Sequence, residues 1–314
     1  MAVGSRPFVP SRVAPGGVAL HGSRRRPATR LAGFVALTKP RIIELLLITT
    51  LPTMILAEGG LPSLGLIVAT LVGGALAAGG ANAWNMVIDR DIDRLMPRTQ
   101  GRPLVTGLIA PAEALAFALA LEVAAFVLLV LAVNVLSAVL AISATAFYVG
   151  VYTVWLKRTS PQNIVIGGAA GAVPVLVGWA AVTGSLAVEP VLLFLAIFFW
   201  TPPHFWALAI RYADDYRAAK VPMLPAITSI EATGRRMVAY TAALWVTTLV
   251  LAAVADVGWI YGAAALVLGA VFTAGCVDLV RHPNAKRAMR VFGFSITYVT
   301  LLFGALAVDI LVLA

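Results

Sequence analysis

Three side chains with oxygen ligands recur at every fourth position directly after a long apolar segment: Asn85, Asp89 and Asp93. If that segment continues as a helix, each step turns about 40° past a full turn and rises about 6 Å, so the three side chains share one face. Carboxylates at this spacing repel each other unless a cation lies between them. A charged helix end at a membrane edge would explain the charges but not the spacing. Hard oxygen ligands suit Mg²⁺, which binds through one or two carboxylates and substrate phosphates.

Three arginines continue the same spacing: Arg94, Arg98 and Arg102. Guanidinium groups donate paired hydrogen bonds that fit phosphate oxygens. Pro97 and Pro103 interrupt a helix here, which predicts a loop that folds back. Each arginine alone is equally explained as a marker of the cytoplasmic membrane edge. Together with the oxygen ligands, they have the composition expected of a diphosphate site.

The composition excludes a soluble domain of this length. The chain has 314 residues, of which 61% are hydrophobic and only 12% are charged. We therefore predict an integral membrane protein, with a transmembrane domain at 37–314 and a disordered basic cytoplasmic arm at 1–36. A mitochondrial targeting segment is the alternative interpretation of the arm, because its first thirty residues are rich in arginine and have no acid.

Nine apolar segments predict the fold class, an all-α polytopic bundle of about nine transmembrane helices. Most of them reach the ~20 residues that a helix needs to cross the hydrocarbon core. Proline and glycine within them are tolerated more readily than in soluble helices. The segments lie at residues 42–57, 63–87, 111–133, 135–155, 162–183, 187–210, 237–255, 258–280 and 291–313.

The basic residues give this bundle an orientation. All 23 Lys and Arg residues fall in the N-terminal segment or in alternate connections between the apolar segments, and the opposite connections hold none. The positive-inside rule then predicts a cytoplasmic N-terminus and an external C-terminus. It also accounts for much of the net charge of +9 without a nucleic-acid partner.

The stripe N-x-x-x-D-x-x-x-D, followed by R-x-x-x-RPL, resembles the first motif of the UbiA-type intramembrane prenyltransferases. Three other stretches resemble the protoheme IX farnesyltransferase (heme O synthase) branch of that family. Together the similar stretches cover most of residues 37–225. They are LTKPRIIELLLITT at 37–50, YTVWLKRTSPQNIVIGGAAGAVP at 152–174, and TPPHFWALAIRYADDYRAAKVPMLP at 201–225.

The resemblance implies a nine-helix bundle with a cavity open to the cytoplasm and the lipid. It implies transfer of a farnesyl group from farnesyl diphosphate to a vinyl group of heme b, with addition of water and release of diphosphate. Mg²⁺ would be the cofactor and heme b a substrate. The expected location is a bacterial plasma membrane, with the mitochondrial inner membrane as the alternative. The lipid bilayer is an implied partner, and heme A synthase or a terminal oxidase assembly are candidate partners.

The resemblance also implies roles for individual residues. Asp89 and Asp93 would be catalytic, and with Asn85 they would hold the metal. The family's second motif usually has acids four apart, but here Arg211 stands four residues before Asp215. Asp215 is still expected as a catalytic residue and metal ligand, whereas Asp214 is equally explained as a solvated acid paired with Arg211 or Arg217. The residues expected to bind diphosphate are Arg94, Arg98, Arg102, Lys157, Arg158 and Asn163.

Two of these expectations have open alternatives. Asn163 begins an apolar segment, so its amide would either contact diphosphate or cap the helix. His204 lies within a predicted span, where an ionisable residue is a functional candidate. It would ligate the heme iron or position the attacking water, or else only satisfy a neighbouring polar group.

Two other functions remain as alternatives. A UbiA-type enzyme with an aromatic or quinone-precursor acceptor would share the metal stripe, but the PPHFW and LTKPRI stretches argue against it. An ion-coupled transporter would place acids near the bilayer midplane and often shows an internal repeat. Here the acids of the stripe gather at one membrane face, and the residue pattern shows no repeat.

Overall fold

The computed structural model describes residues 29–313, and all regular structure within that range is helical. The helices, in chain order, are α1 (Arg30–Thr38), α2 (Pro40–Glu58), α3 (Leu64–Ile88), α4 (Arg90–Leu95), α5 (Pro103–Thr106), α6 (Pro111–Ala132), α7 (Val135–Thr159), α8 (Asn163–Thr183), α9 (Val188–Arg211), α10 (Ala213–Ala218), α11 (Leu224–Ile227), α12 (Ile230–Val254), α13 (Trp259–Arg281) and α14 (Ala285–Leu313).

Eight helices within residues 29–313 are long and apolar enough to cross a bilayer: α3, α6, α7, α8, α9, α12, α13 and α14. The 19-residue α2 coincides with the first predicted segment. The prediction of an all-α bundle of about nine long helices is therefore confirmed, and the chain is a multi-pass membrane protein. α12 begins seven residues and α14 six residues earlier than predicted, because the first two turns of each helix carry basic residues that hydropathy alone excludes.

The long helices form two groups. α3 packs against α2, α6 and α7, whereas α9 packs against α12 and α14, and α13 lies between α12 and α14. α8 joins the groups because it contacts α2, α7 and α9, and α14 closes the other side against α2. The close approach of α8 to α2 requires Gly178, since a Cβ there would lie 2.8 Å from the Thr50 carbonyl oxygen.

The second half of α7 is wound as a π-helix over Phe147–Leu156. The Thr153 hydroxyl donates to the Tyr148 carbonyl at 2.9 Å, and the Lys157 amide donates to the Tyr152 carbonyl, five residues back in both cases. Gly167 of α8 makes room for this segment, because a Cβ there would lie 2.3 Å from a ring carbon of Tyr152. The small residues of the GGAAGA stretch thus serve helix packing at this point.

Short helices connect the long ones at the end where the basic residues gather. α4 and α5 follow α3, and α10 and α11 follow α9. The two connections pack together through a small apolar cluster of Ile92, Met96, Ala219 and Val221. The residues of the predicted arm up to 28 lie outside the described part of the chain, and α1 extends across its predicted boundary at residue 36.

One carboxyl group lies far from this end. Glu122 is buried midway along α6, and it faces Gly80 of α3, where a Cβ would lie 2.5 Å from Glu122 Oε1. No spacing pattern in the sequence indicates this acid. Its contact with a glycine shows that the two helices approach closely at that level.

Candidate active site

The predicted stripe is continuous and buried. α3 passes into α4 through Asp89, and helical hydrogen bonds cross the junction: the Asp89 amide donates to the Asn85 carbonyl and the Asp93 amide donates to the Asp89 carbonyl, both at 2.9 Å. The three side chains therefore share one helical face, as their spacing predicts. Their residue exposures are only 3%, 0% and 3%. Carboxylates removed from water to this degree need cationic partners.

Asp89 is held by a lysine and an amide. Lys157 Nζ, near the end of α7, donates to Asp89 Oδ2, which also accepts from Asn85 Nδ2 at 2.7 Å. The same amide donates to Thr153 Oγ1 at 3.1 Å. Asp89 Oδ1 lies 4.0 Å from Arg158 and has no hydrogen-bond partner among the described residues. One oxygen of this buried carboxylate is thus free to take a further ligand.

Asp93 forms an ion pair with a residue of the loop that follows α4 and folds back toward the stripe. Arg102 forms an ion pair with Asp93 Oδ2. Thr99 Oγ1 donates to the Asp93 carbonyl at 2.7 Å and to the Met96 carbonyl at 3.1 Å, which fixes the turn after α4. The loop predicted from the two prolines is therefore present, and it brings one predicted arginine to the stripe.

A cation that the sequence analysis did not assign to the site completes the cluster. Lys39 joins α1 to α2 in a left-handed conformation, and its Nζ donates to Asn85 Oδ1 at 2.8 Å. Burial, and next the charges of Arg102 and Lys157, lower the pKa of Lys39 well below its usual range. In the sequence, Lys39 counted only as one basic residue of the N-terminal segment. Its place in the stretch LTKPRI was the only sequence feature that could have indicated a role at the site.

The donor set fits a divalent cation that prefers oxygen ligands. Two buried carboxylates and an amide line the stripe, and Asp89 Oδ1 is a buried oxygen without a donor among the described residues. No cluster of three or more His, Cys, Asp or Glu side chains occurs within residues 29–313. A metal at the stripe would therefore have few protein ligands, which leaves coordination positions for substrate phosphates.

Arg98 is placed differently from Arg102. Its guanidinium group donates to the Tyr216 hydroxyl at 3.1 Å and lies over the rings of Tyr212 and Tyr216, at 5.5 Å and 5.3 Å from their centroids. Cation–π contacts of this kind stabilise an arginine that has no anionic partner. The contact joins the loop after the stripe to the segment that carries the second acidic pair.

Arg158 and Arg94 lie at the margin of the stripe. Arg158 makes a two-pronged ion pair with Asp91, with both distances 2.8 Å. The hydrogen bonds from Arg158 hold the pKa of Asp91 at about 2. Arg94 is exposed on α4.

The second acidic pair is far more accessible than the stripe. Asp214 is 95% exposed at its side chain and forms an ion pair with Arg217, one of the two partners expected from the sequence. Asp215 is half-buried on α10 and forms no ion pair within residues 29–313. Its neighbour Tyr216 contacts Arg98, so this segment is tied to the loop that follows the stripe.

Asn163 is the first residue of α8 and is fully buried. The N-cap of α8 is Gln162, so Asn163 does not cap the helix. Neither its amide nitrogen nor its amide oxygen has a hydrogen-bond partner among the described residues. A buried amide without partners normally costs stability, which favours a role in holding a ligand.

His204 lies deeper, in the second helix group. Its Nδ1 is 2.7 Å from Ser295 Oγ, and its ring stacks on Trp200 with centroids 4.3 Å apart. Since the Ser295 hydroxyl donates to the Phe292 carbonyl at 2.6 Å, the histidine Nδ1 must be the donor to Ser295. This tautomer leaves a lone pair on Nε2, one of the two ring nitrogens through which a neutral histidine can bind a metal.

The sequence profile of the UbiA prenyltransferase family matches residues 46–303. The chain belongs to the UbiA prenyltransferase family. Its relatives within this family include a protoheme IX farnesyltransferase of Parafrankia sp. (strain EAN1pec), which is 50% identical over 98% of this chain and 97% of its own length. A second relative of the same name, from Clavibacter michiganensis subsp. michiganensis (strain NCPPB 382), is 53% identical over 90% of this chain and 93% of its own length.

Solved structures with low sequence identity share the fold. A digeranylgeranylglyceryl phosphate synthase structure superposes with a TM-score of 0.75 at 18% identity, covering 90% of this chain and 98% of that one. A UbiA homolog from Archaeoglobus fulgidus, bound to DMAPP and Mg²⁺, gives a TM-score of 0.63 at 17% identity, covering 88% of this chain and 99% of the other. At these identities the likeness establishes the architecture of the UbiA-family bundle.

Proposed function

We propose that this chain transfers a farnesyl group from farnesyl diphosphate to a vinyl group of heme b, adds water to the neighbouring carbon, and releases heme O and diphosphate. The observation that carries this proposal is about 50% identity to protoheme IX farnesyltransferases over nearly the whole chain. The buried stripe supports it, because oxygen ligands surrounded by cations are what a magnesium diphosphate requires.

Asn85, Asp89 and Asp93 would hold Mg²⁺. The bound ion would neutralise the charge that develops on the departing diphosphate. The Mg²⁺ and prenyl diphosphate bound to the Archaeoglobus fulgidus homolog support this assignment. Asp215 is proposed as a further ligand from the second segment, which the Arg98 contact ties to the stripe.

The chain's own cations would stabilise the leaving group. Lys157, Arg102 and Lys39 converge on the stripe and would donate to diphosphate oxygens as the allylic C–O bond breaks. Their burial strengthens these interactions, since little water competes. The allylic cation then forms a bond to the vinyl carbon, water adds to the adjacent carbon, and one proton of that water is released.

Four other polar residues would complete the diphosphate site. Asn163 has an unsatisfied buried amide, and Arg158 lies 4.0 Å from Asp89. Arg94 and Arg98 lie further out, where they would attract the anionic substrate before it reaches the stripe.

His204 would contact the acceptor. Its Nδ1 is engaged by Ser295, so Nε2 would either ligate the heme iron or orient the attacking water. It lies seven positions before Arg211, the last residue of α9, which corresponds to a depth of about 10 Å. That depth would place heme within the bundle and its vinyl group toward the stripe.

The proposed location is the bacterial plasma membrane, since both relatives described above are bacterial. We also propose the cytoplasmic N-terminus, the division into an arm at 1–36 and a transmembrane domain at 37–314, and heme A synthase or an oxidase assembly as partners. No nucleic-acid partner is proposed, because the basic residues are explained by the membrane orientation.

The decisive experiment incubates purified protein with heme b, farnesyl diphosphate and Mg²⁺, and separates the hemes by chromatography. The proposal is supported if the unmodified protein forms heme O and the Asp89→Asn variant does not. A prenylated aromatic acid or quinone precursor, formed with no change in heme, would instead assign the alternative acceptor.

A further inference from the structure

A groove lies between α12 and α13, in a different part of the bundle from the stripe. Its volume is about 390 Å³, and its apolar part is lined by Trp245, Ala270, Thr273, Ala274 and Val277. Asp278, Arg281 and His282 line its end at the basic side of the bundle. An adjoining hollow of about 260 Å³ continues it between Arg235, Val238, Val277, Val280 and Arg281.

Small residues keep the groove open along α13. Gly269 lets the Trp245 ring lie against the helix, since a Cβ there would be 2.1 Å from a ring carbon. Ala270 and Ala274 then leave a channel next to that ring. From Ala270 to Arg281 the channel follows α13 for about 16 Å. This length equals roughly half of the ~30 Å hydrocarbon core, which is the depth of one lipid leaflet.

The cationic side chains that line the groove lie at its end on the basic side of the bundle. Arg281 is exposed and has no acidic partner among the described residues, because nearby Asp278 is engaged by Arg287 and His282. Arg235 pairs with Glu231 but remains 71% exposed at its side chain. Two guanidinium groups therefore flank the polar end of an apolar channel, an arrangement complementary to a phosphate attached to an acyl chain.

We propose that this groove binds one anionic phospholipid, with its phosphate between Arg235 and Arg281 and an acyl chain along Ala270, Ala274 and Trp245. The site is separate from the acceptor site proposed above, because His204 contacts α14 through Ser295, whereas the groove lies between α12 and α13. The bound lipid would fasten α12 to α13 at the level of the headgroups.

The test measures bound lipid by native mass spectrometry and the melting temperature of the full chain in detergent. Phosphatidylglycerol is titrated. Phosphatidylcholine, which has acyl chains and a phosphate but no net negative charge, tests whether an anionic headgroup is needed, and inorganic phosphate tests the anion without acyl chains. We expect phosphatidylglycerol to raise the melting temperature and the other two probes to have little effect. Arg235→Gln with Arg281→Gln should weaken phosphatidylglycerol binding about tenfold or more.

Two matched variants keep the test specific. Lys286→Gln with Arg290→Gln removes two exposed cations from the same side of the bundle without touching the groove, and it should bind phosphatidylglycerol as the unmodified chain does. Ala274→Phe fills the channel and retains both arginines, and it should lose the lipid. Equal loss in both double variants, equal stabilisation by phosphatidylcholine or phosphate, or unchanged binding in Ala274→Phe would each overturn the proposal.

Discussion

The two acidic segments of this molecule contain similar residues in very different surroundings. Asp89 and Asp93 follow a 25-residue helix and are almost inaccessible to solvent, with a cation on each. Asp214 and Asp215 lie on a six-residue helix in a connection, where the first is exposed and the second is half-buried. Electrostatic interactions strengthen where water is excluded, so the buried ion pairs of the first segment are stronger than the exposed Asp214–Arg217 pair of the second.

The two segments also differ in how firmly their backbones are held. The stripe has few degrees of freedom, because helical hydrogen bonds continue through it and Thr99 fixes the turn behind it. The second segment is held mainly by the apolar cluster around Ile92 and by the contact of Arg98 with Tyr216. We therefore propose that the stripe is the preorganised part of the site and that the second segment is its adjustable part.

The largest expected effect is on the stripe itself. Asp89→Asn and Asp93→Asn should each reduce heme O formation by at least ~10²–10³, because each removes a proposed ligand of the metal that would neutralise the leaving group. Asp214→Asn, in the exposed segment, should change the rate by less than about threefold. Chromatography of the hemes measures the rates, and the melting temperatures control for folding. Near-normal turnover by both stripe variants would contradict the metal-site proposal.

Substitution of Lys39 tests whether diphosphate binding at the first segment depends on cations outside its own helix. Lys39→Met should weaken farnesyl diphosphate binding by about 10–100-fold, the effect of one charge-assisted hydrogen bond. The matched control is Arg41→Gln, an exposed basic residue two positions further along, which should bind normally. Diphosphate affinity is measured by calorimetry. Equal affinities for both variants would exclude Lys39 from the site.

Substitution of His204 tests whether heme, the proposed acceptor, is bound independently of both acidic segments. His204→Ala should weaken heme binding about tenfold or more and alter the heme spectrum, while diphosphate affinity stays nearly intact. Ser295→Ala, which frees Nδ1, should have a smaller effect of the same kind, as expected when a hydrogen bond to a ligand histidine is lost. Unchanged heme titrations and product formation in His204→Ala would remove this residue from the site.

Asp215 should show a smaller, metal-specific effect. Chelators should abolish activity, and Mg²⁺ or Mn²⁺ should restore it, because the ligands are oxygens. Asp215→Asn should raise the metal concentration required for half-maximal activity by a few-fold, whereas Asp214→Asn should not. Titration of Mn²⁺ by electron paramagnetic resonance checks the same point without turnover. An identical metal requirement in both variants would leave the second segment without a metal role.

The smallest effect is expected from Asp91, which lies beside the stripe but outside it. Its pKa is lowered from 3.8 to about 2 by Arg158, so the pair contributes stability above pH 3.8 that is lost as the pH falls through about 2. Because the pair is largely exposed, Asp91→Asn should lower the melting temperature at neutral pH by no more than about 3 °C. The difference between variant and unmodified chain should disappear near pH 2. A larger decrease at pH 7 would mean that Arg158 also loses its position near Asp89.

Much of this arrangement could be predicted from local sequence patterns. Hydropathy located the long helices, and the four-residue spacing located the shared face of the stripe. Interactions between distant elements could not be read in this way. The stacking of Arg98 on two tyrosines depends on how two connections meet, and the approach of Lys39 to Asn85 depends on a left-handed residue between two helices. Glu122 was missed because a single acid in an apolar helix shows no spacing.

The π-helical part of α7 has a consequence for the design of more stable variants. Shortening the segment Phe147–Leu156 by one residue would allow ordinary α-helical hydrogen bonds, which have better geometry. The same deletion would change the position of Lys157 around the helix axis, because π- and α-helices have different numbers of residues per turn, and would displace its ammonium group from Asp89. Thr153 would lose its register with Asn85 as well if the deletion preceded it. If Lys157 acts on diphosphate as proposed, the irregular winding serves activity at a cost in backbone stability, and engineering for heat resistance should leave this segment unchanged.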